Sequence, residues 1–221
     1  MTSPLRQEHA QLTRRRVMDA AYTLLLDGGY AGTTVTAVAR RAGVAVPTVY
    51  KAFGSKPALV KQVYDRVLAG DDDAVPIGER VTARRLLAER DPRRAITLYA
   101  VLVTDLATRT GPLLAVLLGA QSTDAHLDEF VATIERERRE GNERFAAHLA
   151  STGGLAVAED RAVDLLWLFT APDVHHRLVT QRRWHRDAFA AWLTETLHTQ
   201  LLGAGADPGG QGAARASSTL A

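Results

Sequence analysis

The chain has 221 residues, 46% of them hydrophobic and 24% charged, the balance of a folded globular protein rather than a disordered one. It contains no cysteine, which excludes disulfides and thiolate metal sites and is the usage expected of a cytoplasmic protein. The net charge is +2, but residues 1–68 hold ten Lys and Arg against four Asp and Glu, so they carry +6 and the remainder −4. A basic small part joined to an acidic larger one suits a polyanionic partner for the first part alone.

In chain order, residues 1–10 lack an apolar stretch behind a positive flank, so neither export nor a membrane anchor is expected; they are read as a flexible basic arm. Strand signals are almost missing and apolar residues recur at helical spacing, which predicts an all-α fold. Val17, Ala20, Ala21, Leu24 and Leu25 line one face of a first helix, and Gly28-Gly29 offers a left-handed stop. Three shorter helices complete a unit over residues 11–68. Asp71-Asp72-Asp73, Pro76 and Gly78 form a breaker-rich junction.

A second unit is expected over 79–202. Asp91-Pro92 opens a helix with Ile96, Tyr99, Ala100, Val103, Leu106 and Ala107 on its apolar face. Gly111-Pro112 is expected to end it and to start a very apolar helix reaching Gln121. The most apolar run, Leu113 to Ala120, is too short to cross a bilayer. Asp124 caps a long helix bearing Leu127, Val131, Ile134, Phe145 and Leu149, closed by Gly153-Gly154. Residues 160–170 are apolar nearly all round, and a last helix over 187–202 shows Phe189, Trp192, Leu193, Leu197 and Leu201. The Gly, Ala and Ser-rich tail, 203–221, is read as disordered.

The informative window is residues 32–60, GTTVTAVARRAGVAVPTVYKAFGSKPALV. Thr34 can cap a short helix whose inner face is Val35, Val38 and Ala39. Gly43, four residues after Ala39, sits where a tight turn needs positive φ, and Val49 packs back onto Ala39. Proline at 47 is tolerated in the first turn of the next helix. Small residue, glycine and apolar anchor at this spacing make a helix-turn-helix, over about 33–53, whose second helix enters the major groove. That helix turns Val49 and Phe53 inward and Thr48, Lys51 and Ala52 outward, with Tyr50 at the edge. Hydroxyls and a cation on it suit phosphates and base edges. Ser55 can cap a further helix whose free amides, with Lys56, form an anion site.

These residues resemble the N-terminal signature of the TetR family of transcriptional regulators: Thr33, Thr34, Val35, Ala39, Ala42, Gly43, Val44, Thr48, Tyr50, Phe53, Ser55, Lys56 and Leu59 match it. The resemblance covers the first quarter of the chain. It implies DNA contacts by Thr33, Thr34, Val46, Pro47, Thr48, Tyr50, Lys51 and Lys56. Ala52 stands where the family often has His or Tyr, and Pro57 where Glu is frequent; the first removes a contact and bears on the operator sequence. The remaining helices resemble the family's effector domain, which implies a homodimeric repressor on a pseudo-palindromic operator, released by a small lipophilic molecule. On that analogy Leu165, Leu168, Phe189, Trp192 and Leu193 lie at a dimer interface, and Tyr99, Leu117, Phe130, Ile134 and Trp167 line a pocket.

No cofactor and no metal are expected. His175 and His176 are adjacent and so diverge, and no HExxH cluster is present. Arg177, Arg182, Arg183 and Arg186 read as a solvated patch. An enzymatic reading finds no nucleophile elbow, phosphate loop or dinucleotide glycine pattern. A DNA-binding adaptor that senses a protein instead of a small molecule shares every feature of the first unit.

Overall fold

In the computed structural model, residues 4–71, 77–121 and 124–203 are described, and no strand occurs among them. The helices are α1 (Pro4–Gly32), α2 (Val35–Ala42), α3 (Val46–Phe53), α4 (Lys56–Ala69), α5 (Val81–Ala88), α6 (Pro92–Gly119), α7 (Ala125–Ser151), α8 (Glu159–Phe169), α9 (Pro172–His175) and α10 (Arg186–Leu202). A π-helical segment, His176–Gln181, continues α9. The all-α expectation stands. The tail beyond Gly203 and the centre of the junction, 72–76, lie outside the described residues.

Three boundaries differ from the sequence reading. Residues 4–10, expected in a flexible arm, belong to α1. The glycine stop operates at Gly29, whose φ of 68° breaks α1 before a last turn to Gly32. Gly111-Pro112 does not end a helix, because α6 runs through Pro112 to Gly119. Proline costs a helix interior one backbone bond, and packing offsets it here: Leu113, Leu114 and Leu117 just beyond it are buried. The merged α6 is apolar and long enough to span a membrane by length and composition, yet α1, α4, α7 and α10 all pack on it. Helix α5 carries no clear sequence signal.

Two apolar cores organise the chain. The first joins α1 to α4 with the end of α6, through Leu113, Leu114 and Leu117, and the start of α7, through Leu127, Phe130, Val131 and Ile134. The second joins α5, the start of α6, the end of α7, α8 and α10 around Ile96, Phe145, Leu166, Phe189 and Leu193. Helices α6 and α7 therefore belong to both.

Burial of His175 links α9 to this frame. Its Nε2 lies 3.3 Å from Thr108 Oγ1 on α6, and its ring meets Phe189 of α10 edge-on at 5.0 Å. Burial, then the neighbouring His176, lowers its pKa below the usual 6.5. A histidine held neutral in the fold binds its proton more readily once unfolded, so its effect on stability sets in as pH falls below 6.5. We expect the melting temperature to drop between pH 7 and 5, and His175→Gln to lose part of that drop; equal slopes for both proteins would contradict this.

Candidate nucleic-acid interface and inner cavity

Each end of the helix-turn-helix is built from its own residues. Thr34 caps α2 by accepting the Ala37 amide at 3.1 Å. Gly43 closes the helix at φ 66°, and the Val44 amide reaches back to the Ala39 carbonyl at 3.0 Å, the wrap that only a left-handed residue permits. A Cβ at Gly43 would lie 2.8 Å from an Arg16 guanidinium nitrogen, so that side chain would have to shift. Val49 and Phe53 are buried beneath α3 as expected. Ala45 gives α3 no side-chain cap, and Pro47 removes one of its first amides.

The outward face of α3 carries Pro47, Thr48, Tyr50 and Lys51, all exposed, with Tyr50 at 51%. On α2, Thr34, Thr36, Arg40 and Arg41 are exposed too, and Thr36 and Arg40 share a face one turn apart. That pair escaped the sequence reading, although its i, i+4 spacing opposite Val35, Val38 and Ala39 announced it.

Three expected contacts are placed elsewhere. Thr33 is only 1% exposed and its hydroxyl donates to the Gly29 carbonyl at 2.8 Å, so it stitches the α1 end rather than facing out. Val46 is partly buried against the first core. The Lys56 ammonium is turned inward: it donates to the Tyr30 carbonyl at 2.6 Å and lies 3.8 Å from the centre of the Tyr30 ring. Burial lowers its pKa, opposed by the charge of Asp124. The α4 start is a poor anion site as well, since Ser55 accepts the Ala58 amide at 3.3 Å and Pro57 has none to give.

Part of the N-terminal basic charge is structural. Arg14 donates to the Ala52 carbonyl at the end of α3 at 2.8 Å, bonds Gln62 on α4, and covers the Phe53 ring at 4.6 Å. Arg16 donates to the Ala42 carbonyl at the end of α2 at 2.6 Å. Cations at helix C-termini are favourable, and here two of them on α1 fix how α2 and α3 sit. A second tie reaches α7: the Tyr30 hydroxyl donates to Asp124 Oδ2 at 3.0 Å, while Asp124 Oδ1 caps α7 at the His126 amide, 2.9 Å away. The Tyr30 bond holds the Asp124 carboxyl below the ordinary carboxylate range, and burial pushes the Tyr30 hydroxyl up.

A cavity of about 840 Å³ opens between α4, α5, α6 and α7, where the two cores meet. Tyr99 and Ile134 line it, as expected; Leu117 and Phe130 do not, being packed in the first core. Trp167 does not either: it is 45% exposed, its indole N–H donates to Glu135 at 3.2 Å, and Arg138 stacks 5.2 Å from its ring centre. Lining residues the sequence reading missed include Tyr64, Thr110, Arg138, Asn142 and Thr170. The Tyr64 hydroxyl is raised above its ordinary range by burial first and then by Glu137, Asp65 and Glu135, with Arg138 acting against them. Asn142 accepts the Tyr99 hydroxyl at 2.5 Å. Among the described residues, two buried side-chain donors lack any partner, Asn142 Nδ2 and Arg138 Nε, and both belong to this lining. Each such group costs about 1 to 3 kcal/mol.

Of the expected dimer residues, Leu165, Phe189 and Leu193 are buried in the second core of the same subunit. Leu168, 52% exposed, and the partly buried Trp192 reach the surface. Among the described residues no cluster of three or more potential metal ligands exists.

Residues 17–63 match the model for bacterial regulatory proteins of the tetR family, the span that forms the helix-turn-helix and its support. That match spans 47 of the 221 residues. It is 26% identical over 165 residues to the HTH-type transcriptional regulator BetI of Burkholderia cenocepacia, which covers 72% of this chain and 81% of that protein. It is 29% identical over 117 residues to the HTH-type transcriptional regulator YdeS of Bacillus subtilis, spanning 53% of this chain and about half, 54%, of that relative. The fold is similar to that of NalD, the secondary repressor of the MexAB-OprM multidrug efflux pump in Pseudomonas aeruginosa. That likeness has a TM-score of 0.67 at 22% identity and covers 88% of this chain and 98% of NalD. The chain is thus similar to tetR-family transcriptional regulators, and residues 17–63 carry a helix-turn-helix of their kind.

The outward and the structural basic residues separate in an assay. Lys51→Ala should weaken DNA binding across sequences and reduce the slope of log affinity against log salt by about 1. Arg14→Met should instead lower stability by about 1 to 2 kcal/mol, through the lost carbonyl bond and helix-end charge, as read by urea unfolding. An unchanged unfolding midpoint for Arg14→Met would remove the structural role.

Proposed function

We propose that the protein is a homodimeric repressor that reads a pseudo-palindromic operator and is released when a small molecule fills the inner cavity. The observation that carries the reading is the exposed row Thr48, Tyr50 and Lys51 on a helix whose far side is anchored by Val49 and Phe53. Thr34, Thr36, Arg40 and Arg41 flank that row and would hold phosphates, positioning α3 in the major groove. The contacts expected of Thr33, Val46 and Lys56 are not carried into the proposal.

Two copies are needed because half-sites repeat at about 34 to 36 Å or a multiple of it. Helices α8 and α10 supply the surface. Leu168 is exposed beside Phe169, whose ring meets Trp192 at 6.4 Å, and Trp192 in turn meets the exposed Trp184 at 6.1 Å. An apolar, aromatic patch of this kind is the usual centre of a protein interface. Ala188 and Ala191, exposed on α10, allow a partner helix to approach closely.

Release follows from where the cavity lies. Its walls include Tyr64 and Leu68 of α4, the helix that follows the reading head, and Tyr99, Leu102 and Leu106 of α6. A molecule that binds more tightly when α4 stands off α6 would shift the heads relative to the operator.

Duplex DNA flanking the protein's own gene, in a mobility-shift titration, tests the reading. We expect retardation that weakens steeply with salt, and at least a tenfold loss for Tyr50→Ala. No retardation at low salt would overturn it. Sedimentation should give a dimer, and Leu168→Glu should yield monomers with operator affinity reduced by more than tenfold; a monomeric wild-type protein would contradict the two-fold arrangement.

A further inference from the structure

The inner cavity also specifies the head group of its occupant, an inference that rests on the effector reading above. Helix α7 turns one stripe inward, Leu127, Val131, Ile134, Arg138, Asn142, Phe145 and Leu149, and all of it is apolar except its two middle members. Arg138 and Asn142 are one turn apart and so share a face. Asn142 is 2% exposed, its amide oxygen occupied by Tyr99, its amide N–H group without a partner. The Arg138 terminal nitrogens are taken by the Trp167 carbonyl at 2.8 Å and by Glu135 at 2.8 Å, leaving Nε as the second unpartnered donor. Buried donors in a cavity wall ask for an acceptor.

Charge decides which acceptor. Every cation on the cavity wall already faces a carboxylate: Lys61 faces Asp65, Arg66 faces Asp19, Arg138 faces Glu135 and Arg144 faces Glu140. Glu137 lines the same wall with no ion pair among the described residues. A carboxylate head would enter a wall with no spare positive charge and would lose its hydration for little return. A cationic head placed at Asn142 and Arg138 would meet two N–H donors and the Arg138 charge, which repel it there. The body of the cavity, Leu86, Leu87, Leu102, Val103, Leu106 and Leu114, is aliphatic, and its volume fits a molecule of drug size.

We propose that the effector is an uncharged, largely apolar molecule bearing a carbonyl group, such as a lactone, ester, ketone or amide. Its oxygen accepts from Asn142 Nδ2 and, one turn away, from Arg138 Nε, while its hydrocarbon part lies along α5 and α6.

Three probes, each built on a ten-carbon chain, separate the possibilities: δ-decalactone, decanoate and decyltrimethylammonium, titrated into the full-length protein by calorimetry. The lactone should bind at least tenfold more tightly than either charged probe. Asn142→Leu, checked for an intact helical spectrum, should lose that preference, with lactone affinity down at least tenfold. Ala107→Trp, which fills the cavity from α6 and leaves both donors in place, should abolish lactone binding. Tighter binding of decanoate or of the ammonium probe, no binding of the lactone, a preference that survives Asn142→Leu, or lactone binding by Ala107→Trp would each overturn the proposal. Operator release measured in parallel keeps it apart from the repressor reading. Lactone binding at Asn142 without release leaves the site and removes the gating role, whereas release by a charged probe alone leaves the gating role and removes this site.

Discussion

Helices α6 and α7 are shared between two hydrophobic cores, and the architecture follows from that sharing. Their far ends, Leu113 to Leu117 and Leu127 to Ile134, complete the core under the helix-turn-helix. Their other halves, with Ile96 and Phe145, complete the core under α8 and α10. Close-packed interiors move as units rather than deforming continuously, so a helix held at both ends transmits a displacement from one core to the other. The cavity lies where the two cores part, and a void there leaves the contact between them the least constrained.

Polar ties give the junction its direction. Tyr30 joins the end of α1 to the Asp124 cap of α7, and Lys56 at the start of α4 holds the Tyr30 carbonyl and ring. Arg14 and Arg16 carry the position of α1 to the ends of α3 and α2. These bonds form a continuous path from the α7 start to the ends of α2 and α3, through side chains that grip backbone carbonyls. Long-range charge alone would fade over a Debye length.

The helix-turn-helix was legible because its constraints are local: a cap at Thr34 and a left-handed Gly43 act within about one turn of their neighbours, and the anchor Val49 lies only ten residues from Ala39. The same local signals misjudged Gly111-Pro112, where burial of Leu113 and Leu117 holds the helix through the proline. Basic residues in the first unit looked alike in sequence, yet Arg14, Arg16 and Lys56 serve the fold while Arg40, Arg41 and Lys51 face out; only tertiary placement distinguishes them. The interface and pocket assignments suffered most. Phe189 and Leu193 carry the periodicity of any buried face, and the second core claims them. One signal stood in plain view: Arg138 and Asn142 interrupt an apolar stripe, and polar residues at inward positions mark a site.

Coupling between the cavity and the reading heads is the central claim, and the absence of cysteine makes it directly measurable. A single spin label at Asp27→Cys, exposed on α1, reports the separation of the two heads in the proposed dimer by electron double resonance. Adding Ala107→Trp to fill the cavity should move the main distance by on the order of 2 Å relative to the operator-bound protein, the scale of helix shifts in switching proteins. Superimposable distance distributions, or no dipolar coupling between labels, would contradict it.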